Sequence, residues 1–116
     1  MKRIFVVEDD RGWIDYYQRI LADYELSFFR DGVAAIEAMD ETVPDLLLLD
    51  VMLVGPTGFA ILNEMQSYPE LAKVPVVISS SVDFNGADLS SYGVCKVLDK
   101  SKMTPREVLS TIEAAV

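Results

Sequence analysis

Pro44 is followed by Asp45-Leu46-Leu47-Leu48-Leu49-Asp50, four leucines fenced by two aspartates. The run has strand length and no polar alternation, so both faces of the strand are buried, as in the centre of a parallel sheet. Outward from it, Ile4 to Val7, Leu26 to Phe29, Val76 to Ser79 after Pro75, and Val94 to Leu98 read as four further strands. Between them apolar residues recur at helical spacing. Trp13, Ile14, Tyr17, Ile20 and Leu21 form one such face after Asp10, and Val33, Ile36 and Met39 form another after Asp31-Gly32. A third helix passes through Phe59, Leu62 and Met65 and stops near Tyr68-Pro69, where the residue before proline resists the helical conformation. In Thr104-Pro105-Arg106-Glu107 an N-cap, a first-turn proline and a glutamate three residues on coincide, and Val108, Leu109 and Ile112 continue that last helix. Asn85, Gly86 and the serines of Val82 to Tyr92 favour turns, so a short or irregular segment is expected there.

Five strand–helix units in 116 residues predict an α/β fold. Its sheet is five-stranded and parallel, with right-handed crossovers and helices on both faces. Of the common doubly wound strand orders, the flavodoxin-like 2-1-3-4-5 suits five strands best. No linker, repeat or low-complexity tract is visible, and residues 1–116 read as a single domain.

Composition removes several function classes. Nineteen acidic against ten basic residues, a net charge of -9, repel nucleic acid and anionic membranes. No apolar stretch approaches the roughly 20 residues of a membrane span, and Glu8 cuts off the apolar start too early for a secretory leader, so a cytoplasmic location is expected. With one cysteine, Cys95, and no histidine, the chain forms no internal disulfide and no Ser-His or Cys-His pair. Cys95 is expected to be a small buried hydrophobe on the fifth strand.

Polar residues stand at the carboxyl ends of four of the five strands: Glu8-Asp9-Asp10, Asp50, Ser79-Ser80-Ser81 and Lys100. That edge is where a doubly wound sheet gathers a site. Magnesium takes near-octahedral oxygen coordination and needs only one or two carboxylates beside waters and a phosphate. Asp9 and Asp50, with Glu8 or Asp10 as helper, form such a set. Asp50 can act as a nucleophile and carry an acyl phosphate, with Ser80 as hydroxyl donor and Lys100 as the ammonium facing phosphoryl oxygens. Taken singly each residue has an ordinary explanation, a helix cap for the acids and serines and a solvated surface position for the lysine. Their occurrence together, on strands the topology makes neighbours, favours the site.

Ile4-Phe5-Val6-Val7-Glu8-Asp9-Asp10, Asp45 to Leu53 with Gly58 following, Pro75-Val76-Val77-Ile78-Ser79-Ser80 and Leu98-Asp99-Lys100 resemble the receiver domain of two-component response regulators across essentially the whole chain. The resemblance implies that Asp50 accepts a phosphoryl group from a phosphohistidine on a sensor histidine kinase or phosphotransfer protein. It implies Mg²⁺ held by Glu8, Asp9, Asp50 and the Met52 carbonyl, with Asp9 a direct ligand and Glu8 acting through water. Ser80 becomes the switch hydroxyl and Lys100 the phosphate-pairing lysine. Output is then a contact with a downstream protein rather than with nucleic acid or membrane.

The chain also departs from the family pattern. Ser101 stands where a cis-linked proline usually follows the lysine, and a cis bond to a non-proline residue costs about 2.5 to 4 kcal/mol, so another path for that loop is expected. Val54, with Pro56 nearby, replaces a proline in the loop after Asp50. Val97 replaces the aromatic switch residue, which implies a smaller or different rearrangement of the output face. Met52 and Val82 are apolar where water approaches the acyl phosphate, which implies slow self-dephosphorylation. Trp13 belongs to the core face of the first helix, with a docking surface as the alternative. Met1-Lys2-Arg3 reads as a natural start, though a piece of a longer protein fits as well. Two other functions are compatible with the residues: a degenerate receiver acting only as a protein-interaction module, and a small aspartyl phosphohydrolase, whose usual second aspartate is replaced by Met52.

Overall fold

The computed structural model describes residues 1–50, 58–81 and 89–116. Its strands are β1 (Arg3–Val7), β2 (Glu25–Phe29), β3 (Leu46–Leu49), β4 (Val76–Ser80) and β5 (Val94–Asp99), all parallel in the order β2-β1-β3-β4-β5. The helices are α1 (Arg11–Ile20), α2 (Gly32–Met39), α3 (Gly58–Gln66), the single turn α4 (Pro69–Ala72) and α5 (Pro105–Ala115). The predicted strand order and helix arrangement are those observed.

The leucine run explains the layering. Leu47 and Leu49 join Phe5 and Val7 in one core with residues of α2, α3 and α4, while Leu46 and Leu48 join Ile4 and Val6 in a second core with Tyr17 of α1, Leu21 at its C-cap, and Val108 and Ile112 of α5. Alternate side chains of a strand point to opposite faces, so an unbroken apolar run fills both cores.

Local chemistry sets the helix ends. Asp10 and Asp31 accept hydrogen bonds from the Trp13 and Ala34 amides, and Thr104 Oγ1 accepts from the Glu107 amide at 3.1 Å, as the capping pattern predicts. Tyr68 is extended before Pro69, which ends α3 and then serves as the first residue of α4. At Gly93, before β5, φ is +79°, a left-handed conformation that favours glycine.

Three expectations need correction or restriction. Of the predicted α2 stripe, Met39 is buried and Ile36 packs partly buried against the core, but Val33 is 64% exposed and the helix buries Gly32 and Ala35 instead. Cys95 is exposed, because the register passes from Val76↔Val94 to Val77↔Lys96 and leaves Cys95 as the extra residue of a bulge. Its Sγ donates to the Val76 carbonyl at 3.4 Å. Of the segment Val82 to Tyr92, the described part is a 3₁₀ turn at Ser90–Tyr92.

Candidate functional site

The sheet registers Val7 beside Leu49, Leu49 beside Ile78 and Ser80 beside Asp99. Residues one step beyond these pairs therefore share the carboxyl rim. The backbone ladder continues into it: Asp50 N donates to the Val7 carbonyl at 3.1 Å, Glu8 N to Phe29 at 2.9 Å, and Lys100 N to Ser80 at 3.0 Å. Distant segments are thus delivered to one row by backbone hydrogen bonds.

Side chains close the cluster. Lys100 Nζ donates to Glu8 Oε1 at 2.5 Å and to Asp50 Oδ2 at 3.0 Å, with the lysine side chain 6% exposed. Glu8 and Asp50 are buried, and the second Glu8 oxygen accepts from the Asp10 amide at 3.2 Å. Two carboxylates share one ammonium. Burial pushes the Glu8 carboxyl above its ordinary value, although Lys100 pulls the other way.

Asp9 is exposed beside this cluster, and Ser80 is fully buried at the end of β4. Asp10 serves as the N-cap of α1. Met52, Val54, Pro56 and Val82 lie outside the described residues. Among the described residues no three acidic or other ligating side chains gather into a metal site. The available donors are carboxylate oxygens beside a buried excess of negative charge, which fits a hard divalent cation completed by waters and a phosphate.

The loop carrying Lys100 reaches the site without a cis peptide, none occurring among the described residues. Ser101 supplies an alternative fastening: its amide and its hydroxyl both donate to Asp99 Oδ1, at 2.9 and 2.6 Å. A proline at that position has no amide hydrogen to give. These bonds hold the Asp99 carboxyl below its ordinary value.

Two contacts were not foreseen from the sequence. Trp13 is half-buried rather than purely a core residue, and its ring centroid lies 4.9 Å from Lys100 Nζ. Beneath it the Tyr17 hydroxyl and Ser79 Oγ meet at 2.5 Å in the core, and burial drives the phenol well above its ordinary value. The signal for the second contact was a tyrosine on an otherwise apolar helix face, whose hydroxyl needs a partner, and a serine run at the end of β4 that offers one.

Residues 4–113 match the family described as the response regulator receiver domain. The response regulator PleD of Caulobacter vibrioides is 33% identical over 86 residues, covering 72% of this chain and 19% of that protein. Response regulator Rcp1 of Synechocystis is 31% identical over 102 residues, covering 78% of this chain and 69% of that protein. Among solved structures, the Mn²⁺-bound form of Rcp1 superposes with a TM-score of 0.77 at 29% identity, covering 98% of this chain and 93% of that one. Response regulator TrrA of Thermotoga maritima, solved in complex with Mg²⁺-BeF, gives 0.83 at 21% identity over 100% of both chains.

Proposed function

Because this chain belongs to the response regulator receiver domains, the signalling domains of two-component systems, we propose that Asp50 is its phosphoacceptor, with a histidine kinase or histidine phosphotransfer protein as donor. The observation that carries this reading is the Lys100 ammonium, 3.0 Å from Asp50 Oδ2 at the sheet's carboxyl rim.

An Asp50 carboxylate oxygen attacks phosphorus in line with the leaving imidazole. Its lone pair forms the new O–P bond as the N–P bond breaks, and that electron pair returns to the imidazole nitrogen. Lys100 then exchanges a carboxylate oxygen for a phosphoryl oxygen as partner. Ser80 donates its hydroxyl to another phosphoryl oxygen. Asp9, Asp50, Glu8 and the Met52 carbonyl would hold Mg²⁺, which when bound neutralises charge on the phosphoryl oxygens. Residues 1–116 act as one receiver unit, and output passes to a downstream protein by contact.

Treatment with acetyl phosphate and Mg²⁺ tests the assignment. Intact mass is expected to rise by one phosphoryl group in the native chain and not in Asp50→Asn. A native chain that gains nothing, or a variant that gains as much, refutes it.

A further inference from the structure

We propose that Trp13 is a positioning residue for Lys100. Its indole face holds the ammonium over the phosphoacceptor in a chain whose lysine loop has serine in place of the family's proline. The inference rests on the receiver reading and deepens it.

The ring is itself firmly placed. The Trp13 amide donates to the N-cap Asp10 Oδ2 at 3.0 Å. The indole stands edge-on to Tyr16, with centroids 5.2 Å apart and planes at 81°, and its centroid is 6.2 Å from that of Tyr17. Tyr17 is in turn tied to Ser79 on β4. The first turn of α1 therefore presents an aromatic face at a fixed place on the rim, 4.9 Å from Lys100 Nζ.

What an aromatic face supplies differs from what a carboxylate supplies. An ammonium has three hydrogens, and Glu8 Oε1 and Asp50 Oδ2 engage two of them. A third carboxylate would bind the cation more strongly and then compete with phosphoryl oxygens for it. The indole quadrupole attracts the same charge, more strongly where water is excluded, yet offers no lone pair. Lys100 can then turn toward an incoming phosphoryl group without leaving its support. The Asp99–Ser101 turn anchors the lysine's backbone from the other side.

The test compares Trp13→Leu, which keeps apolar bulk but has no π-face, with Trp13→Phe, which keeps a ring. The initial rate of mass gain from limiting acetyl phosphate with Mg²⁺ is expected to fall about fivefold in Trp13→Leu, the worth of one partly desolvated cation–π contact, and to be largely restored in Trp13→Phe. In a Lys100→Met background the Trp13→Leu change should have no further effect, which a merely structural role would not produce. Equal rates in the native chain and Trp13→Leu, or equal losses with and without Lys100, overturn the proposal. If Trp13→Leu does not fold, emission from the single tryptophan decides. It should shift when beryllofluoride and Mg²⁺ are added to the native chain and stay unchanged in Lys100→Met, and an unmoved native signal overturns the proposal. A native chain that takes no phosphoryl group removes the receiver reading itself, whereas normal uptake with an indifferent Trp13 removes only this inference.

Discussion

Lys100 carries more of the local energetics than its sequence context announces. Replacing it with methionine leaves Glu8, 2% exposed, as a buried carboxylate without its counter-charge. Losing one member of such a pair costs about 3 kcal/mol. Lys100→Met should therefore lower the urea midpoint markedly, and adding Glu8→Gln should recover part of the loss; equal midpoints for native and Lys100→Met would show that the pair is solvated. Tyr17 offers a separate test. Its phenol stays protonated in the folded chain above the ordinary value of 10.0, so its contribution is complete below that pH and is lost as pH rises beyond it. Tyr17→Phe should be about 1 kcal/mol less stable at neutral pH, and the gap should close in alkaline denaturation curves. Glu8, Asp9, Asp50, Ser80 and Lys100 were legible as candidates because residue type and strand end are properties of sequence. The partnership of Lys100 with Trp13 was not, since it depends on a ring orientation set by packing.

At the scale of elements, the loop after β5 shows how a missing proline is replaced. Asp99 gathers the Ser101 amide and hydroxyl on one oxygen and thereby fixes the peptide carrying Lys100. Asp99→Ala should speed hydrogen exchange of the Ser101 amide and slow phosphoryl uptake, with Ser101→Ala showing a smaller effect because its amide still donates. Unchanged exchange in Asp99→Ala would mean that the turn is held elsewhere. The cap and proline of α5 were readable because capping is encoded within four consecutive residues. The α2 face was misread by its first position, since eight residues hold too few repeats to fix the phase of a stripe. The exposure of Cys95 was unreadable for another reason: a bulge belongs to a pair of strands, and β5 alone does not encode where Val76 and Val77 fall beside it.

For the molecule as a whole, the layering was legible because the unbroken run Leu46 to Leu49 demands cover on both sides, and the strand order because five strand–helix units suit the 2-1-3-4-5 winding best among the common doubly wound orders. Order then dictates which ends become neighbours, and the rim residues follow. Among the described residues no helix is long and apolar enough to cross a membrane. The bulge at Cys95 has one more consequence. β5 borders the sheet, and a straight outer strand is a template onto which another copy can stack to grow a ribbon. With its pleat broken at Cys95 and the Lys96 charge beside the break, that border is ill-suited to seed fibrils, even when neighbouring molecules are crowded together.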